Sequence, residues 1–400
     1  MCKSDYTGNV VDKLAKSEKL FFLLLSIISI IPFYSDFQND RLFYVLKYVF
    51  LVLFLGITFF KTRKGVANQK VILFSVLLFF ISFLNSFYIV ENLGTRSLIL
   101  SLGFTVMFGL VGIYSMFYFS KIPFNIFKQI IFIFFIGVLV TVNIPNMLLI
   151  NNPAAFYFFD GRFRFTGTFQ NSNVMSRFAL LGLFLVLRLW PLCKGRFTRF
   201  LFLVTAATSI YLIYLSDSRT SLIASFLAVG LISIVKIYKS VPKRLFLGVT
   251  FIAGAVLIWL AYYYFTVALQ PISSFNLSEL TSGRTDIWSS VFETSTSGLI
   301  FGVGSVQQVG IHNGYIEIIK YYGMLGFIAW MTSLLFMLKR KVKFSFKNNS
   351  FSNMVGLGVV LIFLFYHMFE GALFSFGNLA SIYLWLEIAQ VNRGHQLRGR

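Results

Sequence analysis

Three short stretches place chemically capable side chains beside long apolar runs: LSDSRTSLIAS with Arg219, TSGRTDIW with Arg284, and HNGYIEIIKYYG with His312. An arginine fork grips phosphate oxygens in pairs and stays charged. A histidine titrates near neutrality and accepts a proton from an attacking hydroxyl. Together they suit a reaction in which a lipid-linked pyrophosphate departs while a sugar hydroxyl attacks. Fixed cations stabilise that growing negative charge more in the transition state than in the ground state. Each residue also has a plainer reading. Arg219 could snorkel to a membrane interface, Arg284 could pair with Asp286 at a helix start, and His312 could be an ordinary hydrogen-bonder.

A second rank of polar residues accompanies these three. Arg162 and Arg164 lie in FFDGRFRFTGTFQNSN, where Asn171 or Asn173 is a helix N-cap. Gly302 and Gly304, in FGVGS, form a turn whose backbone N–H groups can approach a ligand. Glu317 and Lys320, one helical turn apart, are placed to form an ion pair. Arg177 and Glu370 could pair or line a cavity, and His367 near Glu370 reads as a packing or hydrogen-bonding residue. Arg164, Asn173, Gly304, Glu317 and Glu370 are the predicted substrate-binding set; Arg162, Arg177 and Lys320 are left without a role.

The elements that must position them are membrane helices. The chain of 400 residues is 57% hydrophobic and 12% charged, about half the charge content of a soluble domain. Apolar runs long enough to span a bilayer recur near 20–35, 42–60, 71–90, 97–120, 125–145, 173–192, 200–216, 220–237, 245–268, 315–338, 351–369 and 373–390. The expected architecture is an all-α polytopic bundle of about twelve helices forming one domain over 1–400. A net charge of +21 raises the question of nucleic acid. The placement of the charges argues against it, since 26 of the 35 Lys and Arg fall in the two tails and in alternate loops. That bias is the positive-inside pattern and puts both termini in the cytoplasm. The outward-facing loops hold few cations, which is why Arg219, Arg284, Arg162 and Arg164 stand out.

Two outward loops are long. One covers 146–172; the other covers 269–314, between the ninth and tenth spans. Loops of such length are usually functional or disordered, and their Phe, Trp, Ile and Val content is not that of disorder. In the second, Thr281 or Ser282 can cap an amphipathic helix carrying Ile287, Val291 and Phe292, ended by Gly298, with Trp288 and Phe292 as anchors or sugar-path residues. Asn313 is a cap for the following span. The polar start MCKSDYTGNVVDKLAKSEKL reads as a cytoplasmic tail rather than a removed signal. Cys2 and Cys193 both map inside, so neither a disulfide nor a zinc site is expected. Asp36 and Asp40 are the nearest approach to a metal-binding pair and read better as a polar loop. No Walker A sequence occurs, and no cofactor or metal is expected.

SGRTDIW, GLIFGVGS and HNGYIEIIKYYGMLGF resemble the signature region of the O-antigen ligase and O-antigen/capsule polymerase family. RFTGTFQNSNVMSRFALL and SDSRTSLIAS resemble its earlier segments, and HMFEGALFSFGN a later one. The ordered set covers roughly residues 160–380. The resemblance implies metal-independent transfer of a glycan from undecaprenyl pyrophosphate to a hydroxyl at the outer face of the inner (plasma) membrane, with inversion. It places the family's turn arginine on Arg219, its loop arginine on Arg284 and its histidine on His312. The expected function is repeat-unit polymerase. Ligation to a lipid A-core or other acceptor is the alternative, and a lipid-linked oligosaccharide flippase a second. A chain-length regulator and a flippase of the same pathway are the expected protein partners, beside the bilayer itself.

Overall fold

SNVMSRFALLGLFLVLRL points to the centre of the bundle: it is apolar on nearly every face, and such a helix has to be enclosed by others. The computed structural model describes residues 14–37, 122–159, 162–193, 195–240, 284–293, 296–303, 311–348, 350–371 and 378–390, and a few single positions between 46 and 84. The spans expected near 42–60, 71–90 (those single positions apart), 97–120 and 245–268 lie outside the described residues. So do Gly304, Asp40, Thr281, Ser282 and both tails.

The elements in chain order are α1 (Lys16–Ile28), α2 (Phe124–Val138), a π-helical turn (Leu139–Asn143), α3 (Ile144–Leu148), β1 (Phe156–Phe159), β2 (Arg162–Phe165), α4 (Ser172–Leu189), α5 (Arg196–Leu215), α6 (Arg219–Ser240), α7 (Arg284–Phe292), α8 (Thr296–Phe301), α9 (Gly314–Asn348), α10 (Phe351–Tyr366) and α11 (Leu379–Ala389). Among the described residues, four helical stretches are long and apolar enough to cross a bilayer: Phe124–Leu148, Ser172–Leu192, Arg196–Leu215 and Gly314–Lys347. The protein is an α-helical membrane protein. The enclosed helix is α4, whose span is 83% buried; the α5 span is 28% buried and turns its apolar side chains outward. Around α4 pack α2, α5, α6 and α10, with α1 outside α2 and α9 and α11 beside α10.

Hydrogen bonds define the ends of the bundle. At one end meet the starts of α4, α6, α9 and α11 and the close of α10: Ser221 Oγ donates to Ser176 Oγ (2.9 Å), and the Gly314 N–H to the His367 carbonyl (2.9 Å). Asparagines cap three of these starts. Asn171 accepts from the Asn173 and Val174 N–H groups, Asn313 from Tyr315 and Ile316, and Asn378 from Ala380.

The long loop 146–172 holds two features that an all-α expectation misses. It opens within α3, and it contains an antiparallel hairpin in which Tyr157 faces Arg164 and Phe158 faces Phe163. Phe165, at the hairpin base, is fully buried, while Phe158 and Phe163 toward its tip are exposed, their rings tilted against each other at 4.9 Å between centroids. We refer to this end of the bundle as the hairpin end.

The apolar helix expected in the second loop is two helices. Of its periodic positions, Val291 is buried against Ile311 and Ile319, Ile287 packs beside them, and Phe292 is exposed. Gly298 lies inside α8 rather than ending the helix; Gly302 ends it, its N–H donating to the Gly298 carbonyl (2.8 Å). That N–H is therefore not offered to a ligand, contrary to the sequence expectation. Gly302 (φ 86) instead lies against Gly323 (φ 65), where α9 departs from helical geometry, and the Val303 N–H donates to the Lys320 carbonyl (2.7 Å). A Cβ on Gly302 would stand 2.5 Å from the Tyr321 carbonyl oxygen, and one on Gly323 would collide with that of Ile300.

Candidate active site at the hairpin end

Glu370 follows the end of α10 by four residues and is 1% exposed. Its carboxylate gathers side chains from three other segments. Arg177 Nη2, on α4, lies 3.4 Å from Oε2; Arg284 Nη2, at the start of α7, lies 3.4 Å from Oε1; His312 Nδ1 lies 4.0 Å from Oε2. Arg284 also donates through Nη1 to the Phe369 carbonyl (2.6 Å). The backbone around the carboxylate is fixed from behind, where His367 Nδ1 meets the Glu370 carbonyl at 3.2 Å. Burial opposes ionisation of Glu370, but His312, Arg177 and Arg284 outweigh it and hold the carboxyl below its ordinary range.

His312 is aimed by its surroundings. Trp288 Nε1, on α7, donates to the Ile311 carbonyl (2.8 Å), and Asn313 caps α9 immediately after. Between these two fixed points the backbone of His312 takes φ 51, a conformation non-glycine residues adopt rarely and often at functional sites. The ring is 38% exposed, the most open of the groups around Glu370.

Glu317, on α9, has its carboxylate directly against Gly371, where a Cβ would collide with it. The expected Glu317–Lys320 ion pair does not form: the Lys320 ammonium has no hydrogen bond or ion pair among the described residues, because Glu317 turns toward Gly371 instead. Arg284 likewise goes to Glu370 rather than forming the pair with Asp286 that its helix-start position allowed.

A second layer lies beside this centre. Arg164, on β2, donates to Asn173 Oδ1 (2.9 Å) and to the Ser216 carbonyl (3.2 Å). Burial lowers the affinity of its guanidinium for the proton, with Asp217 acting in the opposite sense and Arg162, Glu370 and Arg284 contributing. Arg162 pairs with Asp217 at 2.9 Å. Asp217 has φ 50 and sits in the tight turn between α5 and α6. The hairpin thus clasps the turn that carries Arg219, while Arg219 is exposed and touches neither Arg284 nor His312 among the described residues.

The structure therefore brings together Arg177, Arg284, His312, Glu317 and Glu370, with Arg164 and Asn173 adjacent and Arg219 on the rim. It adds residues the sequence reading missed. Tyr366 lies beside Arg177 and receives Ser221 Oγ at 3.5 Å, and Ser218, Ser221 and Ser176 form a buried hydroxyl row leading to it. The polar run YHMFEG at the end of an otherwise apolar helix was the available signal for Tyr366.

Chemically, Arg177, Arg284 and Arg164 against the carboxylates of Glu370 and Glu317 leave one positive charge in excess, and Arg284 and His312 are the groups of the Glu370 cluster most open to the outside. Such a centre can hold an anionic leaving group while presenting a base. Residues 204–331, a little under a third of the chain, match the family model described as O-antigen ligase. The matched segment contains Arg219, Arg284, His312 and Glu317 and ends before Glu370. The match supports assigning the chain to the O-antigen ligase/polymerase family and, with it, a glycosyltransferase-like activity in polysaccharide biosynthesis. No curated protein matches the sequence.

Proposed function

We propose that the protein polymerises glycan repeat units, moving a growing chain from undecaprenyl pyrophosphate to the hydroxyl of a lipid-linked acceptor at the outer face of the plasma membrane. The observation that carries this reading is the convergence of Arg284 and His312, from separate segments, on Glu370 at the hairpin end. In the proposed step the acceptor oxygen attacks the anomeric carbon, its proton passes to His312, and the bond from that carbon to the pyrophosphate oxygen breaks. Arg284 meets the pyrophosphate as its charge grows, and Arg219 meets it from the rim. Arg164, Asn173 and Glu317 hold the sugar-bearing side. Gly304 keeps the substrate-binding role expected for it from the sequence. No metal enters the step.

Ligation uses the same chemistry with a different acceptor, and the match to an O-antigen ligase family favours it as the second reading. A flippase fits less well, since it would carry its charges within spans around a central cavity, whereas Arg219, Arg284 and His312 lie at helix starts or beyond.

The test is the surface glycan of cells lacking the gene, restored with wild type or with His312→Ala. Single repeat units on deletion, and a ladder restored by wild type alone, establish the polymerase. Long lipid-linked polymer accumulating on deletion establishes the ligase. Lipid-linked single units trapped at the cytoplasmic face overturn both.

A further inference from the structure

The sequence reading placed Glu370 among the substrate-binding residues. Its burial and its partners point elsewhere. At 1% exposure, with Arg177 on Oε2 and Arg284 on Oε1, the carboxylate has little surface left for a sugar hydroxyl. What it does face is one particular nitrogen of His312. Nδ1 is the ring nitrogen on the Glu370 side, 4.0 Å from Oε2, and the His312 side chain as a whole is 38% exposed. A ring rotation closing about 1 Å converts this contact into a hydrogen bond.

We propose that Glu370 is the positioning residue for His312: it holds the imidazole with its proton on Nδ1 and leaves the Nε2 lone pair as the atom that takes the acceptor's proton. The proposal rests on the glycosyl-transfer reading for its catalytic consequence but not for its geometry. A neutral imidazole carries one donor and one acceptor nitrogen, and an ionised carboxylate is acceptor only. Nδ1 facing an ionised Glu370 must therefore carry the hydrogen. The carboxylate is kept ionised and immobile by Arg177 beneath it and Arg284 beside it. Its main chain is tied down through the Phe369 and Glu370 carbonyls. The imidazole is held in turn by Trp288 and Asn313 on either side of its backbone. The other charged groups about the centre are Glu317 on α9 and Arg164 on β2, neither recorded in contact with the ring. When the acceptor O–H bond breaks and an Nε2–H bond forms, the new oxygen–carbon bond replaces the carbon–oxygen bond to pyrophosphate, which leaves with the electron pair. The resulting imidazolium lies against Glu370, which stabilises it. This is the logic of carboxylate–histidine pairs in general.

The decisive measurement is the tautomer itself, read from imidazole nitrogen chemical shifts of full-length protein labelled at histidine and reconstituted in lipid nanodiscs. The three histidines are His312, His367 and His395, and His312→Gln identifies the signal of interest. At neutral pH the wild type is expected to show His312 protonated on Nδ1. In Glu370→Gln the amide can donate to Nδ1, so the population should move to the Nε2–H form. The same variant should lose about 100-fold or more in kcat with KM changed little, and Glu370→Asp should restore part of it. A purely structural role would leave the tautomer unmoved. Wild-type His312 protonated on Nε2 overturns the proposal without any variant having to fold. So does a Gln variant that keeps the Nδ1–H form. If the tautomer behaves as stated but His312→Gln leaves the glycan ladder intact, the positioning stands and the transfer reading fails.

Discussion

Two buried carboxylates, Glu370 and Glu387, each hold two permanent cations at opposite ends of α4. Arg177 serves the first and Arg188 the second; eleven residues of helix put them about 16 Å apart along the axis. At the far end Arg188 and Lys341 each lie 2.9 Å from Glu387, and all three side chains are essentially inaccessible. The extra positive charge there is absorbed internally. Lys341 donates to the Gln390 carbonyl, Arg188 to the Ser352 carbonyl and hydroxyl, and the Arg188 guanidinium lies over the Phe127 ring at 5.2 Å. At the hairpin end the stoichiometry is the same, but Arg284 and His312 remain partly open. One ion group is closed by protein and reads as a clamp between α4, α9 and α11. The other faces outward with its surplus unspent and reads as a site.

The largest effect should come from opening the closed group. Arg188→Ala removes one of the two cations from buried Glu387 and leaves the Ser352 carbonyl without its donor, and loss of about 3–5 kcal/mol is expected when a partner is deleted from a buried ion group. Folded yield after detergent extraction and the thermal midpoint should both drop sharply, and an unchanged midpoint would dissolve the comparison. Arg284→Ala and Arg219→Ala should do the opposite. We expect about 100-fold or greater loss of polymer formation with near-normal folded yield, checked by the glycan ladder and by size-exclusion profile.

Replacing Arg188, Lys341 and Glu387 together by Leu, Met and Leu should sharpen the distinction, because apolar substitutes of similar volume often match a buried ion group in stability. The ladder should persist and the midpoint should stay within a few degrees of wild type.

Acid should loosen the hairpin end in a predictable direction. The folded Glu370 carboxyl titrates below its unfolded value of about 4.3. Its contribution to stability is therefore full above that value and is lost as pH falls through the lower folded value. Thermal midpoints of wild type and Glu370→Gln should differ most at neutral pH and converge as pH falls through the folded value. The smallest effect belongs to Lys320→Met. Its ammonium has no ion partner among the described residues, so the thermal midpoint should change by the equivalent of about 0.5 kcal/mol or less.

Much of the positioning was legible in the sequence because it is local. Asn171 and Asn313 cap the helices they were expected to cap, and the α4, α5 and α9 spans lie where apolar runs predicted them. The scarcity of cations in the outer loops singled out Arg284, which the structure then places at the centre. What was not legible depends on distance along the chain. The Arg177–Glu370 pair that the sequence allowed does form, across 193 residues, but no periodicity showed that Arg284 and His312 would join it. Arg188 and Lys341 were counted among the cations that set topology; the structure buries both against Glu387, Lys341 because α9 runs to Asn348, past the span end expected at 338. The hairpin was hidden for a different reason. FYFF and RFRF alternate too briefly to stand out in a chain so rich in phenylalanine.

The contact between Gly302 and Gly323 has a consequence for how such sequences diverge. Each glycine occupies the space a side chain on the other segment's backbone would need, so neither position can accept a substitution by itself. The two should be inherited as a unit, and a homologue that has replaced one is expected to have rebuilt the crossing of α8 over α9 altogether.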